Sequence, residues 1–360
     1  DPTDAAVWAE RAIVDWCQFQ EKFDASSARL DSARRNARQA LAFDSDNPRA
    51  RLAEAASLLA TNNYDAKTKT EASFILELPS ARADADVETL VRLAALRQDP
   101  AHYDVALGYM DRAARLPGGA GAAHFTRSLA CFERGEWAQA TEAIDRALGA
   151  EPAAKFLLWK SYLVTMWDGD STAARQLVTK VPPAMLTEDF PVGARLFVEF
   201  WSHDWEGALT VLRTVPRDFI DTYSFSGPVG YYKGYALVRL GRNPAAEIEF
   251  RSALDVVEKR LRSQANDRRL LLFKALLLAA LGQKPEAEKL WRSSRDLAGT
   301  ESWADYIAER ELGTDEEVLA AVASAMKRRF PTGLAGSLRL DPFLDRLRAQ
   351  PPFAEMLATA

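Results

Sequence analysis

Residues 121–152, GAAHFTRSLACFERGEWAQATEAIDRALGAEP, contain two apolar patterns separated by a short turn. Gly135 lies in the turn, and Pro152 ends the second pattern. Apolar side chains recur at helical spacing, as Ala123, Phe125, Leu129 and Phe132 before the turn and as Trp137, Ala140, Ile144 and Ala147 after it. We therefore predict a helical hairpin. A single hairpin cannot bury its apolar face alone, so it must stack on further copies.

The spacing Gly-x-Trp-x-x-Ala-x-x-x-Ile-x-x-Ala-x-x-x-x-Pro of residues 135–152 resembles the tetratricopeptide (TPR) repeat. Gly282, Ala287 and Trp291 occupy the corresponding offsets near the other end of the chain. These features predict an all-α fold, an α-solenoid of TPR-type antiparallel helix hairpins in a right-handed superhelix. No strand is predicted, because apolar and polar residues nowhere alternate over a sustained run.

The domain organisation follows from the same pattern. We predict that residues 1–337 form a TPR solenoid of about nine helix-hairpin repeats of ~34 residues each. The second of these repeats covers residues 48–77. Residues 338–360 are predicted to form a capping segment that covers the last apolar face, since a repeat array needs such a cap to stay soluble.

The end of the chain carries a narrower resemblance. The run Leu338-Arg-Leu-Asp-Pro, followed by Leu347-Arg348, Pro352-Phe353 and Leu357, is similar to the end of the TPR region in certain bacterial signalling proteins. In those proteins the repeats follow an effector domain: a nucleotide cyclase, a protein kinase or a winged-helix DNA-binding domain. The resemblance implies a regulatory or scaffolding module whose effector domain is absent from this chain. Because the first residues lack a starting Met, we expect a fragment or a processed chain.

The composition argues against several classes of function. The chain of 360 residues has 46 basic and 51 acidic side chains, and this formal charge of −5 disfavours a nucleic-acid surface. No apolar run is long enough to span a bilayer. Cys17 and Cys131 lie far apart and are predicted to be free thiols, which slightly favours the cytoplasm. A periplasmic location is the alternative, if the parent chain has an amino-terminal signal or anchor.

We find no pattern that indicates catalysis. His102, His124 and His203 lie in separate repeats without metal-ligand spacing, so no metal site is predicted. No glycine-rich phosphate loop is present. We therefore expect neither a cofactor nor an enzyme.

The candidate binding surface is the concave face of the array. In a TPR array the first helix of each repeat lines this face, so aromatic and long apolar side chains on first helices could anchor a peptide. The candidate groove residues are Phe125, Phe132, Phe156, Trp159, Met166, Phe197, Trp201, Tyr231 and Tyr235. If the groove binds a peptide, Trp159, Tyr231 and Tyr235 should be partly exposed and close together. The alternative is that these rings belong to the core, because a phase error of one residue would turn them inward.

Arg195 and Glu199 form a candidate polar site, because a small or apolar residue normally occupies the position of Glu199 in the repeat. One interpretation is a surface pair one helical turn apart, worth ~0.3–0.5 kcal/mol. The other is a partly buried site facing the groove. The function we predict is a non-catalytic protein- or peptide-interaction scaffold or sensor. The alternatives are the regulatory portion of a signalling cyclase or kinase, and a module that self-associates.

Overall fold

The computed structural model describes residues 3–20, 26–60, 72, 85–96, 103–182, 189–221, 225–295, 297, 302–327 and 334–359. It divides into two compact units, Asp1–Glu151 and Pro152–Ala360. Within the described residues no helix has the length and hydropathy needed to cross a membrane. The predicted second helix of repeat two lies outside the described residues.

The first unit is built from helices that pack in consecutive pairs. The helices whose bounds the structure describes are α1 (Ala5–Gln20), α2 (Ser27–Phe43), α3 (Pro48–Leu59), α4 (Val87–Leu96), α5 (Tyr103–Arg115), α6 (Ala120–Glu133) and α7 (Trp137–Ala150). The pairs α1 and α2, α4 and α5, and α6 and α7 are hairpins. Small residues line the crossings: Ala33, Ala37 and Ala140 are fully buried, which lets the helix axes approach closely.

The second unit continues the same architecture with five hairpins among its described residues. The first helix of each is α8 (Ala154–Leu163), α10 (Asp189–Trp201), α12 (Val229–Arg239), α14 (Arg268–Ala280) or α16 (Trp303–Leu312). Their partners are α9 (Ser171–Val178), α11 (Trp205–Thr214), α13 (Asn243–Leu261), α15 (Lys284–Ser294) and α17 (Asp315–Lys327). A π-helical turn, Val164–Asp168, extends α8. The chain ends in α18 (Ala335–Leu340), a 3-10 turn (Pro342–Leu347) and α19 (Pro351–Thr359).

The turns of the hairpins confirm the predicted repeat register. Gly135, Gly241 and Gly282 have φ angles of 73°, 71° and 85°, the left-handed conformation that ends a helix most easily with glycine. After each glycine, the next amide bonds back to a carbonyl five residues earlier; the Glu136 amide, for example, lies 2.8 Å from the Cys131 carbonyl. Five residues after the glycines come Ala140, Ala246 and Ala287, all buried.

One part of the second unit departs from the sequence prediction. Phe219–Ile220 (β1) pairs antiparallel with Gly227–Pro228 (β2), so the prediction that no strand occurs is wrong here. Each strand has two residues, too few for alternation to be visible in the sequence. Phe219 and Ile220 are buried. The ladder thus joins the residues that follow α11 to those that precede α12.

Candidate functional site

The C-terminal part of the second unit lies against its own first helices. We call residues 335–347 the tail segment, and the side of α8, α10, α12 and α16 that it contacts the first-helix face. At Asp341 the chain changes from helix to 3-10 turn: its amide still bonds to the Ser337 carbonyl, and its Oδ1 accepts the Phe343 amide at 2.9 Å. Pro342, which has no amide hydrogen, suits the first position after this cap.

Entry of the tail segment requires a glycine. A Cβ at Gly336 would lie 2.5 Å from the Gly169 amide nitrogen and 2.8 Å from the Met166 carbonyl oxygen. Only a residue without a side chain therefore allows α18 to approach the end of α8 this closely.

Phe343 is the aromatic anchor of the tail segment, and 2% of its surface is exposed. Its ring centroid lies 5.1 Å from that of Tyr235 and 6.3 Å from that of Trp201. Within the described residues the rings around Phe343, here called the aromatic cage, are Phe200, Trp201, Tyr235, Trp303 and Tyr306. They come from α10, α12 and α16, so a single phenyl ring connects three hairpins.

Asp341 is the charged anchor. Its side chain has 1% of its surface exposed, and its Oδ2 lies 3.1 Å from Nε of the equally buried Arg310. The Tyr306 hydroxyl donates to the same oxygen, and the Arg310 guanidinium lies 3.6 Å from the centroid of the Tyr306 ring. Burial raises the pKa of Tyr306 well above that of a free tyrosine, so the hydroxyl stays protonated and can donate this hydrogen bond. Both charges are therefore paired, as buried charges must be.

Two side chains of the first-helix face also bind the backbone of the tail segment. The Tyr235 hydroxyl donates to the Pro342 carbonyl at 3.1 Å, and His203 Nε2 lies 3.1 Å from the Leu340 carbonyl oxygen. Since a carbonyl only accepts, Nε2 must carry the hydrogen. Burial lowers the pKa of His203, although the bond to Leu340 acts in the opposite direction.

His203 stands where other hairpins have glycine. Its φ is 54°, and the amide after it bonds to the Glu199 carbonyl, as in the glycine turns described above. A side chain in the left-handed region costs ~1–2 kcal/mol. Among the described residues, this is the hairpin turn at which a side chain in the left-handed conformation binds the tail segment.

A partly exposed rim of ion pairs surrounds these anchors. Asp345 pairs with Arg239 of α12 and, at 2.7 Å, with Arg348. Arg346 donates to the Arg310 and Gly313 carbonyls at the end of α16. The last carbonyls of a helix carry partial negative charge, so this arginine stabilises the helix end.

Most candidate groove residues belong to the core. Phe132, Phe156, Trp159, Met166, Phe197, Trp201 and Tyr231 are buried, whereas Phe125 and Tyr235 are partly exposed. The expectation that Trp159 and Tyr231 are partly exposed is wrong: they expose 8% and 3% of their surface. Trp159 stacks on Tyr162 at 5.4 Å, and Tyr231 packs on Phe273 of α14 at 5.6 Å. Tyr231 and Tyr235 do lie close together, with centroids 6.4 Å apart.

Phe125 and Phe132 belong to the first unit, whereas the other candidates belong to the second. The ring of Phe132 packs edge-on against Trp137 at 5.1 Å, across the turn of its own hairpin. In the second unit, Trp201 and Tyr235 of the candidate set belong to the aromatic cage. A peptide role for the whole set stays a prediction.

The structure corrects the first interpretation of Arg195 and Glu199. Arg195 Nε donates to Glu199 Oε1 at 2.5 Å, but the Glu199 side chain has 1% of its surface exposed, so the pair is not a surface pair. Arg175 of α9 places Nη2 3.2 Å from Glu199 Oε2, close enough for an ion pair but without hydrogen-bond alignment. Its Nη1 lies 2.9 Å from Asp204, which caps α11. The site thus links three helices; that it faces a groove stays a prediction.

The sequence prediction missed Phe200, Trp303 and Tyr306 of the aromatic cage, and it missed the buried partners of Asp341. The run Leu338-Arg-Leu-Asp-Pro could have indicated them, if it had been interpreted as a segment that binds the first helices rather than only as a cap. Within the described residues no three metal-ligating side chains gather into one group.

Comparison with known proteins supports the fold. No protein-family model matches the sequence. No curated protein matches it either. Yeast Tom70 is similar in structure, with a TM-score of 0.51 and 17% identity over 92% of this chain. This chain has a TPR-like fold. It spans 63% of the Tom70 chain, and at this identity the likeness shows the fold alone.

Two structures of human IFIT1 dimers are also similar, although more loosely. The dimer with PPP-AAAA has a TM-score of 0.45 and 15% identity over 80% of this chain and 73% of that one. The dimer with m7Gppp-AAAA has a TM-score of 0.42 and 14% identity over 80% and 72%. At these scores the alignments add no argument about function.

Proposed function

We propose that this chain is a non-catalytic interaction module that binds a short protein segment on the first-helix face of its second unit. The observation that supports the proposal is that a short segment of the chain itself already lies there: residues 340–344, where α18 ends and the 3-10 turn begins. An aromatic side chain enters a cage, a carboxylate meets an arginine and a tyrosine, and two carbonyls accept hydrogen bonds from the face. Interfaces that recognise peptides use these same elements.

A protein segment suits this face better than a nucleic acid. Binding to phosphates depends on cationic side chains that are free to replace counterions. Here the face presents the aromatic cage and a buried arginine, Arg310, beside the Tyr306 hydroxyl, a set of groups that suits one aromatic and one carboxylate side chain. The formal charge of the whole chain, −5, points the same way.

The proposal can be tested by selecting linear peptides from a display library on the intact chain, followed by fluorescence anisotropy with an enriched peptide. Tyr162, a partly exposed ring that packs on Phe197 at 4.5 Å, is the position to perturb. Because an aromatic anchor commonly contributes 2 kcal/mol or more, Tyr162→Ala should weaken binding about thirty-fold. Ile248→Ala is the control, since Ile248 is 70% exposed on a second helix. If no peptide is enriched, or if both variants bind equally, the proposal is wrong.

A second candidate is the regulatory portion of a bacterial signalling protein, in which this module transmits state to a cyclase, kinase or winged-helix domain. The resemblance of the chain end favours it, because the residues that carry this resemblance anchor the tail segment in the second unit. Leu338, Asp341 and Leu347 are all fully buried. Reading the gene upstream of residue 1 would test it. An effector domain there, whose output changes with Asp341→Asn, supports this candidate; an upstream sequence without one rejects it.

A further inference from the structure

We propose that the tail segment is an internal substitute for a partner, and that the first-helix face is a receptor for segments of the sequence Asp-Pro-aromatic. The inference rests on the proposed function and names its ligand. A partner with this sequence would replace residues 341–343. Three features of the structure lead to this proposal.

First, the contacts of the tail segment extend beyond those of a neighbouring repeat. In a solenoid each repeat contacts the adjacent ones. Asp341 does contact the adjacent α16, but residues 340–342 also reach back to His203 and Tyr235, 137 and 107 positions earlier in the chain. These distant contacts do not depend on the covalent connection, so an unconnected segment of the same sequence could make them.

Second, each residue of the trio has its own subsite. The carboxylate of Asp341 accepts hydrogen bonds from Arg310 and Tyr306, and the carbonyl of Pro342 accepts one from the Tyr235 hydroxyl. The ring of Phe343 packs in the aromatic cage. Proline fixes its own φ and restricts the residue before it, so the acidic and aromatic side chains are pre-positioned at low entropic cost. This pre-positioning selects the order acidic, proline, aromatic.

Third, the contacts at the rim are of a kind that solvent weakens. Arg239 and Asp345 are both partly exposed, and exposed ion pairs contribute little. His203 holds the Leu340 carbonyl from a left-handed conformation that is itself unfavourable. Within residues 341–343 the hold on the first-helix face therefore resides in Asp341 and Phe343, the two side chains that a partner can supply.

The test uses a labelled peptide of residues 337–348, SLRLDPFLDRLR, and the intact chain carrying Asp341→Asn and Phe343→Ala. With its internal competitor weakened, this variant should bind the peptide at least ten-fold more tightly than the parent chain does in fluorescence anisotropy. The control peptide has alanine at the phenylalanine position and should lose about thirty-fold in affinity, as expected for an aromatic anchor. Equal binding of both peptides, or of both chains, overturns the proposal.

Hydrogen exchange on the parent chain gives a second measurement, which decides the matter if the double variant fails to fold. Because a tethered segment has an effective concentration of ~1 mM, the peptide is added at several times that level. Amides of residues 338–344 should then exchange faster, whereas the control peptide leaves them unchanged. If peptides selected from the library bind but neither accelerate this exchange nor compete with the labelled peptide, this inference fails and the proposed function stands. If nothing binds the chain, both fail.

Discussion

Asp341→Asn provides the sharpest test of how the second unit is held together. The substitution keeps the size of the side chain. It also keeps an oxygen that can accept the hydrogen bond from the Phe343 amide, which in the parent lies 2.9 Å from Asp341 Oδ1. It removes the negative charge beside Arg310, whose side chain has 3% of its surface exposed. The variant therefore deprives a buried guanidinium of its buried counter-charge and leaves only the partly exposed Glu309 carboxylate, 3.7 Å away.

Removal of one partner from a buried ion pair is expected to cost ~3–5 kcal/mol, most of it from the charge left behind. The matched control is Glu142→Gln, which makes the same carboxylate-to-amide change. Glu142 lies 2.6 Å from Arg146, but both side chains are more than half exposed. An exposed pair of this kind contributes ~0.2–1 kcal/mol, because water screens both charges.

The measurement is urea unfolding of the intact chain, followed by circular dichroism at 222 nm. We expect the Asp341 variant to unfold at a clearly lower urea concentration and the Glu142 variant to stay close to the parent. An unchanged m-value would show that the shift reflects stability rather than altered compactness. If both variants lose the same small amount, the carboxylate of Asp341 is not buried in the way described, and the tail segment does not lie on this face.

Three further predictions test the repeat register, the glycine-like turn and the pH dependence. Trp291→Ala should open a cavity and cost ~3–5 kcal/mol, and Ala287→Leu should overpack the helix crossing and cost ~1–3 kcal/mol; thermal melts that overlay the parent's would disprove the register. His203→Gly loses a hydrogen bond worth ~1 kcal/mol but relieves similar strain, so hydrogen exchange at Leu340 should quicken while the unfolding midpoint barely moves. A large loss of stability would contradict this balance. Glu311 is exposed at the surface, but the protein around its carboxylate removes part of its hydration and raises its pKa from 4.5 to about 7. The folded chain therefore holds more protons than the unfolded chain between those values, and parental stability falls as pH rises through that window. Glu311→Gln should remove this slope and gain ~1 kcal/mol on the parent between pH 4.5 and 8, a figure reduced for the solvent contact of the side chain; parallel pH profiles would refute it.

The hairpins could be predicted from the sequence because their signals are local. A glycine that ends one helix and an alanine five residues later are sufficient to set the register, and the structure confirms this at Gly135, Gly241 and Gly282. His203 shows where this reasoning stops. Nothing near it in the sequence indicates a left-handed residue, since the carbonyl that its ring binds belongs to Leu340, far along the chain.

The candidate site could be predicted only in part, for the same reason. Helical phase placed Trp201 and Tyr235 on first helices correctly, but exposure depends on what covers a face. Here the cover is Phe343, which the sequence places more than a hundred residues away. Glu199 is a parallel case: its partner Arg195 is one helical turn away and was predicted, whereas Arg175 comes from another helix and was not.

The segment predicted as a cap combines two kinds of contact. Phe353 and Leu347 pack with Val318 of the last hairpin, whereas Phe343 lies in the aromatic cage; the capping role itself stays a prediction. If the cap stays in place while residues 341–343 leave the cage, these residues remain tethered beside it at an effective concentration of ~1 mM. A free segment with identical contacts competes poorly against such a tether. A partner that displaces the tail segment at micromolar concentration must therefore gain contacts beyond the Asp-Pro-aromatic trio, and the partly exposed ring of Tyr162 is a contact of the required kind.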